Sequence, residues 1–225
     1  MDNLLDLTNL DTKRYFIVGE LHGDHYALQR MLYQQRFTWA DTLVTTGDFF
    51  DLDGPMYIDL FQFLRNTMNC YSVKGEHEIK FLEDLEDPEK SEELNKKLGK
   101  QLNEVLISYI RDLPLIIKIN DYYIIHAGLD PTKTLDDQEQ DIFYSIGKYD
   151  KDSRFYRDKE EDKSWYELPF LINGTHVNIC FGHVHTDKVK VPAGYNLGRN
   201  PETDPRFRCL VIDKTQWMAD IITWQ

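Results

Sequence analysis

The chain has 225 residues, of which 41% are hydrophobic and 13% aromatic, enough for one folded α/β domain over residues 1–225 with a sizeable core. A formal net charge of −13 argues against non-specific binding to nucleic acid or to anionic membranes, both of which reward an excess of Lys and Arg. Three widely spaced cysteines, Cys70, Cys180 and Cys209, suit neither a disulfide framework nor a zinc knuckle, so a reducing cytoplasm is the expected setting. The first residues lack the basic start and apolar stretch of a signal peptide, and no apolar run approaches the roughly 18–20 residues of a membrane span.

In chain order, residues 15–20 (YFIVGE) read as a buried strand. Asp24 then caps a helix whose positions Leu28, Met31, Leu32 and Tyr33 share an apolar face. Residues 42–48 form a second strand, 57–68 a helix and 71–75 a third strand, an alternation that favours a parallel sheet with right-handed crossovers. Asp87 and Pro88 open a long helix carrying Leu94, Leu98, Leu102, Val105, Leu106, Tyr109 and Leu113, closed by Pro114. Asn120-Asp121 marks a tight hairpin. Residues 148–164, polar and aperiodic, read as an exposed loop, and strands are expected at 178–183, 187–192, 206–213 and 217–224. Two sheets packed face to face with helices outside is the resulting picture.

Five short motifs stand at strand ends: GELHG (19–23), GDFFD (47–51), GEHE (75–78), HAG (126–128) and GHVH (182–185). Each sets a histidine or carboxylate beside a glycine, which lets the backbone turn sharply and approach a ligand. Five of the seven histidines fall within them, leaving only His25 and His176 outside, and imidazole with carboxylate is the usual donor set for ions of the Zn, Mn and Fe type. One such motif is usually a turn; five point to a metal centre.

In their order and spacing these motifs resemble the GDxHG, GDxVDRG, GNHE, HAG and GH series of the calcineurin-like metallophosphoesterases. Within that superfamily the chain is most similar to the compact bacterial and phage-type serine/threonine phosphatases, over about residues 15–185. The resemblance implies a four-layer α/β/β/α sandwich with two mixed β-sheets. It also implies two divalent ions, Mn²⁺ foremost with Fe or Zn as alternatives, bridged by an aspartate and a hydroxide that attacks phosphorus. Carried over, Glu20 and His22 are ligands of one metal, Asp48 bridges, and Glu76, His126 and His183 complete the second. His185 is a further ligand, as in the wider superfamily. His77 matches the general acid and Asp51 the aspartate that orients it.

The chain departs from the pattern in three places. Glu20 replaces aspartate, Glu76 replaces asparagine, and Leu52 stands where the family has a phosphate-binding arginine. A second such arginine falls at Ile146, with Tyr144 in the place of a tryptophan. One added carboxylate and two lost arginines leave the site roughly three charge units less positive, which penalises a phosphomonoester dianion more than a phosphodiester. Lys148, Lys151, Arg154 and Arg157 are candidate replacements if their loop folds over the site. The expected substrate is therefore a phosphoester, whether a phosphoprotein or a small ester or nucleotide, with diesters favoured by charge. The alternative is a weak or inactive relative serving as a binding module.

Overall fold

The computed structural model describes residues 3–51, 57–99, 104–131, 133–144, 157–158, 163–198 and 206–224. Two mixed sheets face each other. The first has the order β14-β13-β2-β3-β4, from β14 (Met218–Trp224), β13 (Phe207–Asp213), β2 (Arg14–Val18), β3 (Thr42–Thr45) and β4 (Cys70–Ser72). β2, β3 and β4 run parallel, and β13 and β14 add antiparallel at one edge. The second has the order β1-β5-β6-β10-β12-β11, from β1 (Leu4–Asp6), β5 (Ile116–Ile119), β6 (Tyr122–Ile124), β10 (Thr175–Phe181), β12 (Gly194–Asn196) and β11 (Lys190–Val191). In this sheet β9 (Phe170–Ile172) pairs with the first residues of β10, while β6, β10 and β12 are parallel.

Alternation along the strands builds the layers. On β2, Tyr15 and Ile17 point between the sheets, where they meet Val44, Ile117, Ile124, Cys180 and Leu210. Phe16 and Val18 point the other way, toward a helical layer. That layer consists of α1 (His25–Gln34), α2 (Tyr57–Asn66), α3 (Glu76–Glu86), α4 (Pro88–Leu98) and α5 (Glu104–Asp112), which contribute Leu28, Met31, Leu60, Phe81, Leu94 and Ile110. Among the described residues the outer face of the second sheet is covered by 3-10 turns, which bring Ile142, Phe143 and Trp165 onto Ile179 and Phe181.

The expected hairpin forms, with β5 and β6 antiparallel and Asn120 in the left-handed region at φ 54°. The single long helix does not. Gly99, at φ 53°, caps α4, and α5 starts afresh at Glu104. Asp87 does cap α4 as expected, accepting from the amides of Glu89 and Lys90, but a separate helix, α3, precedes it. Two side chains assigned to buried faces are exposed, Tyr33 at 85% and Val105 at 46%, because each lies at the margin of its helix's apolar stripe. Of the expected 148–164 loop, most lies outside the described residues. The described part forms a short antiparallel pair, β7 (Arg157–Asp158) with β8 (Lys163–Ser164). The strand expected at 187–192 shrinks to β11, and β12 follows it. Leu52, Asp53, Leu102, Ile146, Lys148, Lys151 and Arg154 lie outside the described residues.

The start of β2 is tied by a partly buried ion pair. Asp41 accepts from the Arg14 guanidinium through both oxygens, at 2.9 and 2.8 Å, and from the Thr38 amide at 2.8 Å. Burial alone would raise the Asp41 pKa, but Arg14 and Thr38 outweigh it and hold the carboxyl below its ordinary 3.8. A depressed carboxylate contributes stability above the unfolded pKa and loses it as pH falls through the folded one. Asp41→Asn should therefore cost about 2 kcal/mol near pH 7 in urea unfolding, with the gap to the parent closing below about pH 4.

Candidate metal centre

Five parallel strands deliver the site. Glu20 and His22 follow β2, Asp48 follows β3, Glu76 and His77 follow β4, His126 follows β6 and His183 follows β10. The two sheets thus present their carboxyl ends to one bowl, where sites in open α/β sheets usually form. The loops are stitched together: the Leu21 and His22 amides donate to the Asp48 carbonyl at 3.3 and 2.8 Å, and the Gly182 amide donates to the His126 carbonyl at 2.8 Å. His22, Asp48 and His183 adopt φ of 44°, 50° and 56°. Each such non-glycine residue costs about 1–3 kcal/mol, a strain that clusters at functional sites.

Glycine is required where the loops cross. A Cβ on Gly75 would lie 2.3 Å from Asp48 Oδ1, and one on Gly47, at φ 89°, would lie 2.8 Å from Gly75 Cα. The partner that closes this crossing is Glu78, which is fully buried. Its Oε2 accepts from the amides of Asp48 and Gly75, both at 2.9 Å, and its Oε1 from the Phe50 amide at 2.8 Å. The His77 amide adds a bond to Asp48 Oδ1 at 2.9 Å. Glu78 is the last residue of the GEHE motif, and its bond to the Gly75 amide is a local helix-cap contact, but the motif's spacing says nothing about the distant amides of Asp48 and Phe50 that converge on the same carboxylate.

The donor set fits a cation. His126 Nδ1 lies 2.8 Å from the Thr46 carbonyl, which can only accept, so Nδ1 carries the proton and Nε2 of the neutral ring is a lone pair. That Nε2 is buried with no hydrogen-bond partner among the described residues, 3.3 Å from Asp48 Oδ2. Two electron-pair donors facing each other in a buried site need a positive charge between them. Without a metal a proton fills that role. Burial disfavours the imidazolium, but Asp48 and Glu20 overcome it and push the His126 pKa up to about 10. Burial also raises Asp48, yet His126 and His77 carry it well below the usual carboxylate range. Burial and the neighbouring His126 lower His183 to about 4, keeping it neutral and able to ligate.

Two ligand clusters share one residue. Glu20, His22 and Asp48 bring one donor atom each within 4.8 Å of one another, and so do Glu20, His126 and His183. Glu20, longer by a methylene than the family's aspartate, leans toward the 182–185 loop. Its Oε1 accepts from the His183 amide at 2.8 Å, and its Oε2 lies 3.8 Å from His185 Nε2. Glu76 Oε2 lies 3.5 Å from His183 Nδ1 on the more open side, and His185 sits at the rim, its side chain 45% exposed. Asp51 forms a third cluster with His22 and His77, its Oδ2 lying 3.4 Å from His22 Nδ1. His77 also stands at the mouth, its ring centroid 5.0 Å from that of His22 and its Nε2 4.0 Å from Asp48 Oδ2. All nine residues expected from the sequence therefore gather at one end of the sandwich.

Two measurements follow. Because His126 holds a proton at neutral pH until a cation displaces it, Mn²⁺ uptake at pH 7.5 should release about one proton, seen as a buffer-dependent heat in titration calorimetry. Glu78→Gln sets an amide NH₂ against the Phe50 amide, or against the other two donors. It should lower stability by about 2 kcal/mol in urea unfolding.

Comparison with known proteins agrees with this geometry. The calcineurin-like phosphoesterase family matches residues 13–207. Serine/threonine-protein phosphatase 2 of Escherichia coli is 32% identical over 130 residues, covering 51% of this chain and 58% of that protein. A symmetrical bis(5'-nucleosyl)-tetraphosphatase of Erwinia tasmaniensis is 28% identical over 123 residues, covering 52% and 44% respectively. The chain thus spans about half the length of these curated relatives. Among solved structures, one described as a putative diadenosine tetraphosphatase superposes with a TM-score of 0.72 at 22% identity, covering 99% of this chain and 98% of that one. A metallophosphoesterase from Sphaerobacter thermophilus superposes with a TM-score of 0.60 at 15% identity, covering 94% and 88%; both share the fold. No helix among the described residues is long and apolar enough to cross a membrane. With the profile match extending over most of its length, the chain belongs to the calcineurin-like phosphoesterase family.

Proposed function

We propose that this chain is a two-metal phosphoester hydrolase that favours substrates carrying one negative charge at the reacting phosphorus, such as phosphodiesters and nucleotide phosphoanhydrides. The observation that carries this reading is His126 Nε2, buried with no hydrogen-bond partner among the described residues and 3.3 Å from Asp48 Oδ2, while its Nδ1 meets the Thr46 carbonyl. Glu20, His22 and Asp48 would hold one ion, and Asp48, His126 and His183 the other, with Glu76 and His185 reaching them from the more open side. When bound, two divalent ions supply Lewis acidity at phosphorus and an activated water for in-line attack.

The chain's own residues do the rest. Asp48 is held from both sides, by the His77 amide on its Oδ1 and by Glu78 on its own amide, so its carboxylate is fixed before substrate arrives. His77, at the mouth and 40% exposed at its side chain, can meet a leaving oxygen and give it a proton. Asp51 shares a cluster with His22 and His77, close enough for its carboxylate to orient the His77 ring. Leu21, Thr46 and Phe49, next in sequence to Glu20, Asp48 and their neighbours, are fully buried, which would keep water from that side of the site. Substrate choice rests on charge: Leu52 in place of a guanidinium removes a clamp for a dianion, and Glu76 adds a carboxylate at the rim. The bis(5'-nucleosyl)-tetraphosphatase name of one relative is consistent with a nucleotide substrate.

The test is turnover of p-nitrophenyl phosphate and bis-p-nitrophenyl phosphate by Mn²⁺-loaded protein. Diester turnover should exceed monoester turnover, and EDTA should abolish both. His77→Asn should lower kcat by about 10²–10⁴-fold with Mn²⁺ binding retained. Absence of turnover on either ester by protein that has taken up Mn²⁺ would sink the hydrolase and leave a binding module.

A further inference from the structure

Two buried polar side chains lie beneath the His183–His185 loop, outside the five motifs. Asn196 on β12 is fully buried, and Arg208 on β13 is 4% exposed. Asn196 Nδ2 donates to the Val184 carbonyl at 2.9 Å, while its Oδ1 accepts from the Gly198 amide at 3.0 Å. Arg208 Nη1 donates to the carbonyls of Thr186 and Gly198, both at 2.8 Å. The held segment, from Gly182 to Val189, is itself neither helix nor strand, and β12 reaches it through the Asn196 amide, which donates to the Val189 carbonyl at 2.7 Å. Burying an amide and a guanidinium is costly unless their hydrogen bonds are made, so both are fixed where they stand.

The carbonyls they grip are those of the residue between the two histidines and of the residue after the second. Rotation of that backbone would swing both imidazoles. The third tether on this loop is Glu20, whose Oε1 accepts the His183 amide at 2.8 Å, so the loop is pinned from the metal side as well. His183 itself is held at φ 56°, a conformation that local preference alone does not keep. The arrangement also joins the sheets: Arg208 belongs to the first sheet, its carbonyl accepting from the Gly19 amide at 3.1 Å, while the loop and Asn196 belong to the second.

We propose that Asn196 and Arg208 are positioning residues that lock the His183–His185 loop into ligating geometry and so set the affinity of the centre for its metal. This rests on the metal-centre reading given above. Neither side chain touches the ions or substrate; each acts through a carbonyl, as outer hydrogen-bond partners of metal ligands do.

The experiment titrates Mn²⁺ alone, by calorimetry, into the parent, Arg208→Lys and Asn196→Ala. Each is first melted in EDTA to establish that it folds. Arg208→Lys keeps the buried charge but not the two-way grip, and Asn196→Ala removes both of its bonds. Mn²⁺ affinity should fall about 10–100-fold in each variant, and the rise in Tm on adding Mn²⁺ should shrink in step. In a background lacking both His183 and His185, each replaced by Ala, the same substitutions should change Mn²⁺ affinity by less than about threefold, since the ligands they position are gone. A folded variant that binds Mn²⁺ within threefold of the parent overturns the proposal. An equal loss with and without the two histidines also overturns it, because the effect then does not pass through those ligands. If one variant fails to fold, the other decides; failure of both makes the pair structural and overturns the positioning role. A parent that takes up no Mn²⁺ removes the metal-centre reading itself, an outcome distinct from parent and variants binding alike.

Discussion

The structure depends on a concentration of buried negative charge. Glu20, Asp48 and Glu78 are each no more than 3% exposed, and they lie at one end of one sandwich. Carboxylates do not bury together without compensation. Glu78 is compensated by three backbone amides, although burial and Asp48 still push its pKa up to about 7. Asp48 faces His126 Nε2 at 3.3 Å, a position that a proton or a cation fills. The strained backbone at three candidate ligands and the glycines at the loop crossing keep this charge focused on the same small volume.

The arrangement is a division of labour between layers. The apolar cores fix the two sheets, and the sheets fix five strand ends. Above those ends the contacts become polar: backbone amides on Asp48 and Glu78, a carbonyl on His126, an amide on Glu20, and side-chain donors under the His183–His185 loop. A ligand set built this way is preorganised, because the hydrogen bonds that orient it do not depend on the ion it receives. The replacement of aspartate by Glu20 fits this scheme. Its extra reach is absorbed by the contact with the His183 amide, and it thereby joins both ligand clusters.

Much of the fold was legible in the sequence where periodicity and turn chemistry coincide. Alternating apolar runs located β2, β3, β10 and β13, and Asn120-Asp121 located a hairpin, because each reports a local conformational preference. In the helical region after residue 75 the leucine spacing suggests one long helix from Asp87, where α3, α4 and α5 stand. Leucine spacing carries through Gly99, but a glycine in the left-handed region ends the helix regardless of the pattern around it. Tyr33 and Val105 show the same limit at the edge of an apolar stripe, where the partner layer and not the residue decides what is covered.

What the sequence determined alone was the chemistry: histidine and carboxylate beside glycine at five strand ends, with Leu52 and Glu76 as departures that shift the charge of the site. Residue type and local spacing suffice for that. The tertiary structure decided which groups meet. It placed His126 Nε2 against Asp48, drew Glu20 to the His183 amide, brought the Asp48 and Phe50 amides to Glu78, and set Arg208 of the first sheet beneath a loop of the second. These pairings arise from the packing of two sheets across a shared core. No local preference encodes the distance between residues that only that packing brings together.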